Sequence, residues 1–235
     1  MFDAILFDLD GTLLDIDMDF FLKHYFERMA GMAGDYGVRD GKRLVEQVWK
    51  STAAMIGNRD PGVFNEEAFM NDFFSDWEFP EEHTRGFFND FYIKGFPLLR
   101  ELCQPLPSVP GLIETVFRKS GKVVIATNAV FPREAIQQRL NWAGIGNFPY
   151  ELVTSYELMH FCKPHPEYYQ EISEMIGVPP ERCLMVGNDK GEDLPAGRVG
   201  MKTFLVEDGL IDSDVDLIPD WQGSLAELET FIGRL

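Results

Sequence analysis

Short apolar runs, each closed by polar or turn residues, recur along the chain. Ala4-Ile5-Leu6-Phe7, Lys122-Val123-Val124-Ile125-Ala126, Glu151-Leu152-Val153, Cys183-Leu184-Met185-Val186 and Thr203-Phe204-Leu205-Val206 read as buried β-strands. They run into Asp8-Leu9-Asp10-Gly11, Thr127-Asn128, Thr154-Ser155, Gly187-Asn188-Asp189 and Glu207-Asp208-Gly209. Helical patterns lie between them. Pro110-Gly111 opens one that closes at Ser120-Gly121, and Pro132 opens another that runs to Gly144. A third follows Pro164 to Pro166, carries Tyr169, Ile172 and Ile176 at three- and four-residue steps, and closes at Gly177. From residue 110 onward the alternation predicts an α/β fold, a doubly wound, parallel, Rossmann-like sheet. Ligands of such sheets bind beyond the carboxyl ends of the strands, where these polar residues fall.

One connection departs from this rhythm. A β-α-β unit takes about 30 residues, yet the first strand ends near Asp10 and the second begins near Lys122. The excess predicts a second unit inserted after the first strand. Its pattern is helical: Phe20, Phe21, His24 and Tyr25 are spaced for one face, and Leu44, Val48 and Met55 for the next. The expected division is an α/β core at 1–15 and 99–235 and an α-helical cap domain at 16–98.

Composition changes the picture in two places. The 235 residues include 39 Asp or Glu and 21 Lys or Arg, a net charge of −18. That balance argues against binding nucleic acid or an anionic membrane, which needs clustered cations. The acidity is regional. Residues 60–90 hold nine acids and one base, Arg85, while 203–230 hold eight acids and no base, so the two stretches carry −16 of the −18. Solvated faces are the expected role of both. Nine of the 20 phenylalanines fall between Phe64 and Phe96, which reads as cap core. The three cysteines lack zinc-type pairing, and Cys162 reads as a small buried residue. His24, His83, His160 and His165 show no ligand spacing. No apolar run approaches the roughly 20 residues of a membrane span, and no N-terminal run has the form of a secretion signal. A cytoplasmic protein, monomeric or homodimeric, is expected.

The segment Phe7-Asp8-Leu9-Asp10-Gly11-Thr12 carries the most chemistry. Carboxylates two apart would point to opposite faces of a continuing strand, but Gly11 permits a turn that brings both to one cavity. Asp189 and Asp193 lie at the end of the fourth strand. Unit charges 4 Å apart repel by roughly 4 kcal/mol at an effective dielectric of 20, so the cluster calls for a cation. Oxygen-only ligands favour Mg²⁺ over zinc.

These motifs resemble, over nearly the whole chain, the haloacid dehalogenase-like hydrolase superfamily. Asp8-Leu9-Asp10-Gly11-Thr12 is similar to its first motif, nucleophile followed by acid/base. Thr127 resembles its phosphate-binding hydroxyl, Lys163-Pro164 its third motif, and Gly187-Asn188-Asp189 with Asp193 its fourth. Where the fourth motif often has Asp directly after Gly, this chain has Asn188, so Asp189 becomes the expected charged metal ligand, with coordination by Asn188 through its carbonyl or through water left open. Asp193 is expected to orient Lys163 rather than touch the metal. The insertion after the first strand matches the helical-cap subclass.

The resemblance implies a Mg²⁺-dependent phosphatase acting on a small phosphorylated metabolite. Asp8 would attack phosphorus to form an aspartyl-phosphate, and Asp10 would protonate the leaving oxygen and then activate water. Asp8, the Asp10 carbonyl and Asp189 would hold the metal. Thr127, the backbone N–H of Asn128 and Lys163 would hold the phosphoryl oxygens. The acid at position 10 favours phosphate esters, because dehalogenases and phosphonatases of the superfamily lack one there. A phosphomutase and a non-catalytic binder of a phosphometabolite or partner are the alternatives. The cap's Phe and acid content points to an apolar or partly cationic leaving group.

Overall fold

The structure, a computed structural model, describes residues 2–38 and 40–235. Strand β1 (Ala4–Phe7) leads into β2 (Leu14–Ile16). A helical segment follows, with α1 (Met18–Ala33), α2 (Gly41–Gly57), α3 (Asn65–Ser75), α4 (Glu81–Asp90), a wider π-turn at Phe91–Gly95 and a tighter 3₁₀ stretch at Phe96–Leu102. Strand β3 (Cys103–Pro105) returns the chain. Then come α5 (Val109–Lys119), β4 (Lys122–Ile125), α6 (Arg133–Trp142), β5 (Leu152–Val153) and α7 (Pro166–Ile176). The chain ends with β6 (Cys183–Gly187), the single turn α8 (Lys190–Asp193), β7 (Lys202–Val206), β8 (Trp221–Gly223) and α9 (Leu225–Arg234).

Six strands pair in the order β5-β4-β1-β6-β7-β8, and every pairing is parallel. The α/β expectation holds, and side-chain alternation explains the two layers of helices. Ile5, Phe7, Val123, Ile125 and Leu184 face one core, shared with Leu112, Ile113 and Val116 of α5 and Leu228 and Ile232 of α9. Ala4, Leu6, Val124 and Met185 face the other, shared with Tyr168, Tyr169, Ile172 and Ile176 of α7. The chain winds outward from β1 through β4 to β5, then crosses back to β6 on the other side of β1. The carboxyl end of β1 is therefore the switch point where such sheets open a crevice.

Among the contacts that join the helical segment to the sheet and its flanking elements, three stand out. First, β2 and β3 form an antiparallel ribbon, Leu14 opposite Pro105 and Ile16 opposite Cys103, which carries the chain out and back. Such short strands have no apolar run of their own, so sequence periodicity did not reveal them. Second, Asn65 at the start of α3 is fully buried, and its Nδ2 donates to the carbonyls of Ala129 and Phe161 at 3.3 and 3.1 Å. Third, Phe96 stacks on Trp142 of α6 at 5.3 Å and meets Phe21 of α1 edge-on at 5.9 Å. Helical geometry continues to Leu102, past residue 98, because Phe96 and Leu99 are both drawn into this contact layer.

Asp17 and Asp40 start α1 and α2 by accepting from the backbone N–H of Phe20 and Arg43, each at 3.0 Å. The buried stripe of α1 is Phe21, Tyr25, Met29 and Ala33. Phe20 is 49% exposed, and the His24 ring bonds back to the Phe20 carbonyl, so the expected face is turned away from those two residues. On α2 the expected Leu44, Val48 and Met55 are all buried. Of the clustered phenylalanines, Phe73, Phe87, Phe91 and Phe96 are fully buried core residues. The acidic tract after β7 is mostly exposed from residue 207 to 220. Among the described residues no helix is long and apolar enough to cross a membrane.

Phe96 is the clearest energetic link between the helical segment and the sheet layer. Phe96→Ala should lower unfolding free energy by about 3–5 kcal/mol, read from chemical denaturation. A loss below about 1 kcal/mol would show that the two layers do not depend on this contact.

Candidate active site

At the end of β1 the backbone N–H of Asp8 still donates to the Val186 carbonyl at 2.8 Å, as a sheet residue would. The chain then turns sharply. Leu13 and Leu14 both donate to the Leu9 carbonyl, and Gly11 donates to that of Leu14. Gly11 has a φ of 82°, and a Cβ there would lie 2.4 Å from Asn188 Nδ2. Only glycine fits both the left-handed backbone and the close approach. The turn places Asp8 and Asp10 in the lining of one cavity.

Lys163, fully buried, reaches Asp8 from the loop before α7. Its Nζ donates to Asp8 Oδ1 at 2.8 Å and to Asp193 Oδ1 at 2.6 Å. Burial opposes the ammonium charge, but Asp193 and Asp8 outweigh it and hold Lys163 well above the usual lysine range. Asp193 approaches this closely because residue 187 is glycine, where a Cβ would meet Asp193 Oδ2 at 2.0 Å. The same oxygen, Asp193 Oδ2, accepts from the Asp189 N–H at 2.9 Å.

The end of β4 supplies Thr127 and Asn128. The Thr127 carbonyl is pinned by the hydroxyls of Tyr168 and Thr154 at 2.7 and 2.8 Å. Asn128 does not cap a helix, since α6 begins only at Arg133. Its Oδ1 accepts from the Lys163 N–H at 3.1 Å and its Nδ2 donates to Glu192 Oε1 at 2.8 Å. At the end of β6, Asn188 is committed elsewhere. Its Oδ1 accepts from Thr12 Oγ1 at 2.7 Å, and its Nδ2 donates to the Gly209 carbonyl at 2.7 Å. Asp189 caps α8, accepting at Oδ1 from the N–H groups of Gly191 and Glu192 at 2.7 and 3.0 Å, which leaves Oδ2 for a ligand.

Two site residues escaped the sequence reading. Arg139 of α6 is fully buried, pairs through Nη1 with Asp10 Oδ2, and lies over the Phe131 ring at 4.5 Å. Its signal was a charge in the apolar register, since Ala135, Ile136 and Leu140 are the other buried residues of α6. Glu192 also lines the cavity, and burial pushes its carboxyl up to about 7. Asp10 is raised above the ordinary carboxylate range by burial, with Arg139 opposing and Asp8 adding to the shift. Its Oδ1 is buried and has no hydrogen-bond partner among the described residues. Cys162 is buried, and its thiol is pushed up to about 12 by burial, which leaves it unreactive.

The cavity has a volume of about 340 Å³. Its base is polar, formed by Asp8, Asp10, Thr127, Asn128, Asp189 and Glu192, and its remaining walls are largely apolar. Among the described residues, no three acidic, histidine or cysteine side chains form a ready-made metal cage. The donor chemistry nonetheless fits Mg²⁺, which uses one or two carboxylates and fills its shell with water and substrate phosphate. Asp8 and Asp189 supply carboxylate oxygens at the base and Asp10 a backbone carbonyl. Lys163 and Arg139 are the paired cations, set against five carboxylates at positions 8, 10, 189, 192 and 193.

The sequence model of one family, described as haloacid dehalogenase-like hydrolase, matches residues 2–200. A glyceraldehyde 3-phosphate phosphatase of Methanothermobacter thermautotrophicus is 27% identical over 219 residues, covering 92% of this chain and 90% of that protein. A phosphoglycolate phosphatase of Aquifex aeolicus is 28% identical over 219 residues, covering 93% and 90%. The crystal structure of a HAD phosphatase from Thermococcus onnurineus superposes with a TM-score of 0.57 at 21% identity, covering 98% of each chain.

The buried Arg139–Asp10 pair makes a stability prediction. Arg139→Met leaves a buried carboxylate without its partner and should cost about 3–5 kcal/mol. Adding Asp10→Asn should recover part of that loss in a double-mutant cycle followed by denaturation. Strictly additive costs would show that the two side chains are not energetically coupled.

Proposed function

The chain belongs to the haloacid dehalogenase-like hydrolase family, and on that premise we propose that it is a phosphatase. It hydrolyses a small phosphorylated metabolite through an aspartyl-phosphate on Asp8. The observation that supports this most is the Asp8 carboxylate, fixed by Lys163 in a cavity that Asp10 also lines, with Asp10 Oδ1 lacking a partner among the described residues. An Asp8 oxygen attacks phosphorus as the bond to the leaving oxygen breaks. Asp10, its proton retained more readily in its buried setting, gives that proton to the leaving alkoxide and then takes one from the water that releases phosphate. Arg139 keeps Oδ2 of Asp10 occupied, which leaves Oδ1 as the oxygen for proton transfer.

Lys163 stabilises the charge that builds on the transferring phosphoryl oxygens, with the Thr127 hydroxyl and the backbone N–H of Asn128 as the other donors. Asp8, Asp189 and the Asp10 carbonyl would hold Mg²⁺, which when bound offsets repulsion between the Asp8 carboxylate and the phosphate. Asn188 stays outside that set because Thr12 and Gly209 occupy its amide. Residues 16–98 act as a cap over a core of 1–15 and 99–235, excluding water and contacting the leaving group.

A generic aryl phosphate should be hydrolysed in the presence of Mg²⁺, with turnover lost on adding EDTA and restored by excess Mg²⁺. Asp8→Asn should lower kcat by about four orders of magnitude or more, and Asp10→Asn by about two to four. An Asp8→Asn enzyme within about tenfold of wild type would exclude Asp8 as nucleophile. Metal-independent turnover would remove Mg²⁺ from the proposal.

A further inference from the structure

We propose that the phosphate ester this site accepts has an uncharged, apolar leaving group, an alkyl or aryl alcohol, and that esters with a second anionic group are rejected. The inference rests on the phosphatase reading and specifies its substrate class. The cavity is divided by polarity. All four of its carboxylates lie at the base with Thr127 and Asn128, whereas α1, α2 and α3 contribute Leu22, Phe26, Val48, Trp49, Phe69 and Met70. Among the described residues, no lysine, arginine or histidine lines the cavity. The two cations behind its base are already committed, Lys163 to Asp8 and Asp193, and Arg139 to Asp10.

A carboxylate or second phosphate on the leaving group would therefore be desolvated against hydrocarbon, with no counter-charge and with four carboxylates in the same cavity. Burial of an unpaired ion is far costlier than burial of any neutral group. The hydroxyls of Tyr25, Tyr92, Tyr156 and Thr52 also line the cavity, those of Tyr25 and Tyr92 bonded to each other at 2.8 Å, but all four are neutral and none supplies a counter-charge. An apolar group instead gains contact on every side. The volume of about 340 Å³ lies at the lower end of the roughly 300–1,000 Å³ of small-molecule sites, so the leaving group is small. Trp49, 49% exposed, stands tilted against Phe26 at 5.0 Å and provides an aromatic surface that suits a planar ring. The acids of residues 60–90 do not line the cavity, so the cationic part of the expectation from composition has no counterpart here.

The full-length wild-type protein with Mg²⁺ supplies the test. Values of kcat/KM are compared for propyl, butyl, pentyl, hexyl and 1-naphthyl phosphate, and for phosphoglycolate and pyrophosphate. The alkyl series should rise about three- to fourfold per methylene, and hexyl and naphthyl phosphate should exceed both polyanions by about a hundredfold. Hydrolysis that favours phosphoglycolate or pyrophosphate would overturn the substrate class while leaving the phosphatase reading intact. Absence of any hydrolysis would overturn that reading, and calorimetry would then decide the class. Hexylphosphonate should bind at least about tenfold more tightly than phosphonoacetate; the reverse order, or no binding of either, refutes it. Thr52→Lys, which brings a cation into the wall from α2, should shift the ratio of rates toward phosphoglycolate. An unchanged ratio in a folded variant would contradict the charge argument.

Discussion

The arrangement at the sheet edge depends on one buried cation. Lys163 lies between Asp8 and Asp193, residues 155 and 30 positions away in sequence, and joins the ends of β1 and β6 to the loop before α7. Removing two carboxylates and an ammonium group from water is costly, and only close geometry offsets it. The neighbouring features serve that geometry. Gly187 lets Asp193 approach, Asn128 holds the Lys163 backbone, and Gly11 turns the chain so that Asp8 is presented to the cavity. What the sheet gains as stability is small beside what it gains as placement of the Asp8 carboxylate, the proposed nucleophile.

A second buried pair extends the same logic to Asp10, the proposed acid/base. Asp10, which lines the cavity, gives one carboxylate oxygen to Arg139, while the other is buried without a hydrogen-bond partner among the described residues. The net charge of −18 therefore has two unrelated parts. The surface acids of the two acidic stretches meet solvent and surface lysines such as Lys190 and Lys202. The buried acids meet Lys163, Arg139 and, in the proposed mechanism, Mg²⁺.

Much of the core was legible in the sequence because each central strand is an apolar run closed by its own polar candidate residue. A strand buried on both faces needs such a run, and parallel winding puts the run's end at the crevice. Of the proposed phosphate- and metal-handling positions, Asp8, Thr127, Asn128 and Asp189 follow such strand ends and Lys163 was named from the family resemblance, and the structure brings all five to one cavity base or to its immediate support. Features that depend on tertiary partners were not legible. Arg139 looks like an ordinary helical arginine until α6 is packed against the turn at Asp10. The β2–β3 ribbon pairs residues about 90 positions apart through backbone groups that any side chains could accompany. Phe20 and Phe21 are indistinguishable by composition, and only packing on Phe96 selects the second for burial. Asn188 carried no indication that Thr12 and Gly209 would occupy its amide.

The claim that Asp8 is the covalent nucleophile is tested most directly by trapping the enzyme during turnover. The protein would be acid-quenched with an aryl phosphate in the steady state, digested, and the peptides analysed by mass spectrometry. The expected result is a phosphoryl adduct on Asp8 that hydroxylamine removes, as it does an acyl phosphate, and that Asp10→Asn makes accumulate or slows from forming. A hydroxylamine-stable adduct on another residue would contradict the assignment. So would a single-turnover burst of alcohol release with Asp8 unmodified.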